Sequence, residues 1–332
     1  MPHPSSLHRG RFAPSPTGGL HLGSALAALV AWLSVRSQRG RFIWRIEDID
    51  GPRVVPGAAE QQMKEARWLG LDWDEGPDVG GSHTPYEQAA RSTVYERALA
   101  SLATNRRLFP CKLSRKDLRE LASAPHGGEG QPPYPKELRP TDLPENWFET
   151  HIGADNPEAA LRFLVNVDPV AFSDVVMGSI TENVAETTGD FVLKRRDGVY
   201  AYQLAVVADD IEMEITEVVR GADLLDSTAR QIQLIDALDC HIPTYAHLPL
   251  VVNEAGDKLS KRNEALTLAE LRSAGVRPEA IVGWLAYSAG LQDLLRPTLP
   301  TDLVAQFSWK LIRSANILVP QNLVEQLRNL SS

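Results

Sequence analysis

Apolar and polar positions alternate along the first fifty residues in a strand, helix, strand rhythm. The short run at 9–13 reads as a strand, and Pro14, Pro16, Gly18 and Gly19 after it have the composition of a turn. Leu22, Leu26, Leu29, Val30 and Leu33 then fall on one face at helical spacing, which predicts a helix. Phe42-Ile-Trp-Arg-Ile46 reads as a buried strand that leads into Glu47-Asp-Ile-Asp50. Strand, helix, strand is the crossover unit of a parallel sheet, and such sheets bind ligands at the carboxyl ends of their strands.

Helical patterns follow at 58–69 and 91–103. Between 125 and 144 the chain carries six prolines together with Gly127, Gly128 and Gly130, the composition of a surface loop. Strand-like runs resume at 161–167, 190–193, 200–207 and 215–219, a helix is expected at 225–238, and residues from 268 onward read as short helices. The fold class is therefore α/β, a parallel sheet split into 1–105 and 190–262. An α+β domain is expected to be inserted at 106–189, with a short helical region at 263–332.

Composition narrows the picture. Lys and Arg total 34 against 43 Asp and Glu, a net charge of −9 over 332 residues, which argues against blanket coating of nucleic acid. A local basic groove remains open, because net charge says nothing about its distribution. The longest clean apolar run, residues 25–33, spans nine residues and cannot cross a membrane. Met-Pro-His-Pro-Ser-Ser at the start has neither the charge nor the apolar stretch of a signal peptide. Cys111 and Cys240 are too few for a disulfide framework, so a cytoplasmic protein is expected.

Two constellations carry chemistry. In Pro16-Thr-Gly-Gly-Leu-His-Leu-Gly23 glycines and a histidine stand where a strand turns into a helix. A helix N-terminus offers unpaired N–H groups and positive dipole to a phosphate, and His21 there can donate to a phosphate oxygen. Gly18 and Gly23 would let backbone approach a nucleotide; equally, the glycines make only a turn and His21 only caps it. Far downstream, Gly256-Asp-Lys-Leu-Ser-Lys-Arg262 puts Lys258 and Lys261 on a polar loop, either as a phosphate clamp or as a solvated basic turn.

Residues 14–24 resemble the HIGH signature, and 258–262 the KMSKS signature, of class I aminoacyl-tRNA synthetases. Arg11-Phe-Ala-Pro-Ser-Pro-Thr-Gly, Arg45-Ile-Glu-Asp48, Gly189 to Gly198, Tyr202-Gln-Leu-Ala-Val206 and Arg220-Gly-Ala-Asp-Leu-Leu-Asp-Ser-Thr-Ala-Arg230 narrow the resemblance to the glutamyl-tRNA synthetase family, from about residue 9 to 267. The resemblance implies a Rossmann-like catalytic domain. Arg220-Gly-Ala-Asp-Leu-Leu-Asp-Ser-Thr is most similar to a shorter paralogue in that family, and 70 residues after Arg262 are too few for a helical anticodon-binding region. That paralogue activates L-glutamate with ATP and Mg²⁺, then esterifies it onto the cyclopentenediol of queuosine at the wobble position of tRNA(Asp). A monomer with no membrane partner is expected.

By the same resemblance, Arg11, Phe12, Ala13, Pro14, Ser15, Glu47, Tyr202 and Arg220 form the glutamate pocket. The chemistry suits them: arginines fork onto carboxylates, Glu47 pairs with the ammonium, and Tyr202 donates a hydrogen bond. Arg220 is expected on the side-chain carboxylate. His21, Lys258 and Lys261 are the catalytic candidates, and Gly18, His21, Gly23, Ser260 and Lys261 the ATP contacts. Family members often hold zinc on Cys-x-Cys plus Tyr-x-x-x-Cys. Here Cys111-Lys-Leu113 and Tyr134-Pro-Lys-Glu-Leu138 leave one thiolate, so no structural zinc is expected, even with His126 nearby. Packing around Leu108, Phe109, Leu113, Leu118 and Leu121 is expected to hold that domain instead. Competing readings are a truncated synthetase charging the tRNA 3′ end and a non-catalytic paralogue that binds glutamate or tRNA.

Overall fold

The computed structural model describes residues 7–113, 117, 133–144, 146–152, 159–256 and 266–331. Its strands are β1 (Arg9–Phe12), β2 (Arg41–Trp44), β3 (Leu108–Cys111), β4 (Ala160–Phe163), β5 (Val170–Asp174) and β6 (Gly178–Glu182). After them come β7 (Phe191–Lys194), β8 (Glu217–Gly221), β9 (Thr244–Leu248), β10 (Val251–Val252) and β11 (Ile317–Leu318). Six of these form one sheet in the order β2-β1-β8-β9-β5-β6. All neighbours in it are parallel except β5 and β6, which close one edge as a hairpin. Strand order reverses between β1 and β8, so the carboxyl ends of those two strands flank the crevice where such sheets bind ligands.

Helix α1 (Leu22–Ser37) follows β1 and crosses to β2, as the apolar spacing predicts. The expected single apolar face is too modest, however. Ala25, Ala28, Ala31 and Trp32 are buried along with the leucines, because the helix is enclosed on all sides. The sheet covers one side, and Ile281, Trp284, Leu285, Leu323 and Leu327 from the C-terminal helices belong to the same apolar core. Gly10 lets β1 and α1 approach closely, since a Cβ there would stand 2.6 Å from Val35 Cγ2. The parallel pairing of β10 with β11 further ties the C-terminal stretch to the end of the sheet.

A second layer is built on the antiparallel sheet β3-β4-β7. Leu108, Leu161, Phe163 and Leu193 from it pack with Tyr95, Leu99 and Leu102 of α2 (Ser92–Thr104) and with the helices Tyr202–Glu212 and Thr228–Ala237. Three expectations change here. Residues 200–207 are not a strand but open a helix. Their apolar run, broken only by Gln203, fits either period, and continuation from Tyr202 to Glu212 decides for the helix. Strands β5 and β6 fall inside 106–189 yet belong to the six-stranded sheet, and β7, expected with that sheet, belongs to the small one. Pairing across such sequence distance leaves no local mark. Phe109 and Leu113 do pack with Cys111 and Tyr134, while Leu118 and Leu121 lie outside the described residues.

Candidate active site

A cavity of about 410 Å³ opens at the carboxyl ends of β1, β8 and β9. Its wall includes every residue expected in the glutamate pocket: Arg11, Phe12, Ala13, Pro14, Ser15, Glu47, Tyr202 and Arg220. His21 and Gly23 line it as well. At the turn, Gly19 rather than Gly18 faces the cavity. Gly18 has φ of 137°, which favours glycine, and its carbonyl accepts a 2.7 Å hydrogen bond from Gln62 Nε2. A Cβ on Gly19 would meet Gln61 and Glu65 at under 3 Å, and Glu65 accepts from the Leu20 amide at 2.6 Å.

On one side of the cavity charge is closely matched. Arg11, 4% exposed, forks onto Asp210 with Nε 3.1 Å from Oδ1 and Nη2 3.3 Å from Oδ2. Arg45, fully buried, reaches the same Asp210 Oδ1 at 2.6 Å and Glu47 Oε1 at 3.1 Å. Burial raises the Asp210 carboxyl, but Arg11 and then Arg45 outweigh it and hold the group below its ordinary range. For Glu47 burial wins against Arg45 and Arg11, and its carboxyl is raised. A raised carboxyl that faces a cavity is poised to be ionised by an incoming ammonium. Burial likewise raises the Tyr202 phenol, with Glu47 adding to it, so it stays a neutral donor.

On the other side stands Arg220, 6% exposed. Its Nε donates to His247 Nε2 at 2.9 Å, Nη1 to Gln231 Oε1 at 2.7 Å and Nη2 to Thr228 Oγ1 at 3.0 Å. The Tyr245 ring lies under the guanidinium, 5.5 Å from centroid to Cζ. Among the described residues these partners are neutral groups, and no carboxylate forms an ion pair with Arg220. A buried cation without a counter-charge is costly unless an anion arrives.

His21 is the N-cap of α1. Its Nδ1 accepts from the Ser24 amide at 3.2 Å, and its own amide donates to Ser24 Oγ at 2.9 Å. With Nδ1 accepting, the neutral ring carries its proton on Nε2, which makes it a donor at the helix N-terminus. Lys258, Ser260 and Lys261 lie outside the described residues. Both flanks of that segment reach the cleft: Val251 lines it, and Thr267 bridges to His21 while the Leu268 amide donates to Leu20 O at 2.9 Å.

The zinc-ligand positions fit the metal poorly. Cys111 Sγ lies 3.7 Å from Tyr134 Oη, and that hydroxyl donates to Leu138 O at 3.1 Å. Leu113 and Leu138 supply no side-chain donor, so one thiol and one phenol stand where Zn²⁺ needs four ligands. Among the described residues no group of three or more His, Cys, Asp or Glu side chains is arranged for a metal. No described helix is long and apolar enough to cross a membrane.

Sequence reasoning missed Asp210, His247, Gln231 and Thr228. For Asp210 a signal was available: an acidic pair, Asp209-Asp210, inside an apolar helix must find buried cations. Asp209 does so at Arg91 Nε, 2.6 Å away. His247 has no such mark, since its neighbours in the chain are ordinary strand residues.

Geometry and sequence define a class I aminoacyl-tRNA synthetase catalytic domain. The family model described as "tRNA synthetases class I (E and Q), catalytic domain" matches residues 8–293. Similar solved structures include a glutamate-tRNA synthetase from Elizabethkingia anophelis, with a TM-score of 0.84 and 28% identity over 97% of this chain and 70% of that one. A glutamate tRNA ligase from Elizabethkingia meningosepticum in complex with its amino acid matches at 0.85 and 28%, covering 97% and 69%. Among curated relatives, the glutamyl-Q tRNA(Asp) synthetase of Symbiobacterium thermophilum is 48% identical over 96% of this chain and 98% of its own. That of Nitratidesulfovibrio vulgaris is 44% identical with the same coverage. The chain therefore belongs to the class I tRNA synthetases for E and Q, in the branch of the glutamyl-Q tRNA(Asp) synthetases, and is a ligase.

Proposed function

We propose that this chain activates L-glutamate with ATP and transfers it to a hydroxyl of the queuosine cyclopentenediol at the wobble position of tRNA(Asp). The observation that carries the reading is one cleft in which Arg11, Arg220, Glu47 and Tyr202 face the imidazole-capped helix N-terminus. An amino acid with two carboxylates needs cationic forks and an anion for its ammonium, and this wall supplies both. Arg220, held by neutral groups, takes the side-chain carboxylate, and Glu47 takes the ammonium.

In the first step a glutamate α-carboxylate oxygen attacks the α-phosphorus of ATP, the bond to the bridging oxygen breaks, and pyrophosphate leaves. Mg²⁺ arrives with ATP and neutralises phosphate charge. The protein positions the reactants and donates to developing negative charge. His21 Nε2–H is one donor. Lys261, supported by Lys258, is the second; the two flanks of their segment at Val251 and Thr267 support this placement. Ser260 and Gly23 complete the ATP contacts, with Gly19 at the turn in place of Gly18. In the second step a queuosine hydroxyl attacks the mixed anhydride carbonyl, an ester forms, and AMP leaves. Unstacked loop bases are the parts of RNA that proteins usually read.

Glutamate-dependent ATP–pyrophosphate exchange without tRNA tests the first step. His21→Ala and Lys261→Ala are each expected to slow it by about 10²–10³ while the fold persists. Labelled glutamate is expected on tRNA(Asp) that carries queuosine and not on the unmodified tRNA. Label on unmodified tRNA(Glu) overturns the acceptor assignment, and absence of exchange overturns the activation step.

A further inference from the structure

Behind Arg220, three neighbouring strands of the sheet carry a chain of buried polar groups. Asp174 ends β5, His247 lies on β9 and Arg220 on β8, in register with His247. His247 Nδ1 is 2.6 Å from Asp174 Oδ2, and both side chains are completely buried. His247 Nε2 is 2.9 Å from Arg220 Nε. A guanidinium only donates, so Nε2 must accept; the imidazole is neutral, with its proton on Nδ1 directed at Asp174. The carboxylate is fixed in turn by the amides of Val176 at 2.9 Å, Met177 at 2.8 Å and His247 at 3.1 Å. Thr228 Oγ1 lies 3.2 Å from His247 Nε2 and 3.0 Å from Arg220 Nη2, closing the same side of the guanidinium. Neither Asp174 nor His247 lines the cavity.

We propose that Asp174 and His247 are positioning residues, which lock the Nε side of Arg220 and so aim its remaining N–H groups at the substrate carboxylate. The chemistry of the relay explains the residue types. A buried cation that has to receive an anion needs fixed orientation without neutralisation, and a neutral acceptor provides that where a carboxylate in direct contact would compete with the substrate. Asp174 acts one residue removed: it selects the Nδ1–H tautomer, so that a lone pair rather than an N–H meets Arg220. An asparagine at 174 removes that selection, because its amide can turn either oxygen or nitrogen toward Nδ1.

The inference rests on glutamate binding at Arg220 as proposed above, and the test separates the two. Exchange is measured for the wild-type chain, Asp174→Asn, His247→Leu and His247→Gln, with KM determined for glutamate and for ATP. Absence of exchange in the wild-type chain counts against the activation reading and leaves this inference to the spectroscopic arm below. With exchange present, His247→Leu is expected to raise glutamate KM by roughly tenfold or more, the loss of a charge-assisted hydrogen bond. Asp174→Asn is expected to raise it by a smaller factor. His247→Gln keeps an acceptor on a side chain of similar reach and is expected to stay within about threefold of wild type. ATP KM is expected to stay constant throughout. Unchanged glutamate KM in Asp174→Asn, or equal rises for glutamate and ATP, overturns the proposal. Should His247→Leu not fold, the contrast between Asp174→Asn and His247→Gln decides by the same criterion. Independently of substrate, ¹⁵N spectra of the labelled imidazoles are expected to show His247 protonated at Nδ1, and an Nε2-protonated His247 overturns the relay.

Discussion

Arg11 and Arg220 are the same residue type, equally buried, on strands adjacent in one sheet, and they face one cavity. Their surroundings differ in charge. Arg11 is answered by the Asp210 carboxylate through two hydrogen bonds, whereas Arg220 is held by an imidazole, an amide, a hydroxyl and a ring face. A cation paired in the empty protein is also part of the scaffold, and its removal leaves a buried anion with one cation fewer. A cation framed by neutral groups can take an incoming anion, as proposed for Arg220, and its removal leaves no buried charge behind. Burial alone, or the mere presence of two arginines, does not distinguish these roles.

The contrast breaks most easily by removing each arginine in turn. Arg220→Ala is expected to raise glutamate KM by about 10²-fold or more, with urea denaturation close to wild type. Arg11→Ala is expected to cost about 1–3 kcal/mol of stability, because Asp210 loses two hydrogen bonds and keeps Arg45 as its one cation. Equal melting of the two variants would remove the distinction. A smaller effect concerns pH. Glu47 is raised above its ordinary 4.5 by burial against the pull of Arg45 and Arg11. Ammonium binding needs it ionised, so glutamate KM is expected to rise as pH falls, and to begin rising above 4.5. A glutamate KM flat down to that value counts against Glu47 as the ammonium partner. The least effect belongs to the region around Cys111, which lies on the small sheet and does not line the cavity. Chelator is expected to leave the melting temperature unchanged, and Cys111→Ala to cost about 1 kcal/mol; a chelator-induced drop would point to a bound metal.

How much of this was legible in the chain depends on distance. The turn after β1 and the helix behind it were legible from spacing, and the pocket residues Arg11, Glu47, Tyr202 and Arg220 stand in the motifs that carry the family resemblance. Their partners do not. Asp210 meets Arg11 across 199 positions and Asp174 meets His247 across 73, so nothing local records either pairing. The helix at Tyr202–Glu212 was obscured for another reason: a segment buried on most sides has no polar face to reveal its period. Strands β5 and β6 escaped notice because an edge hairpin half open to solvent, Val170-Ala-Phe-Ser-Asp174, carries a weak apolar signal.

One feature of the architecture reaches further than its position suggests. Trp284, Leu323 and Leu327 sit in the core around the very helix that His21 caps, and Thr267 is bridged to that histidine. The C-terminal helices are thus the backstop of its imidazole: a lesion that loosens them is expected to displace the ring proposed to meet phosphate, and a fault many residues from the cleft would present as an enzyme slow in chemistry rather than one that has come apart.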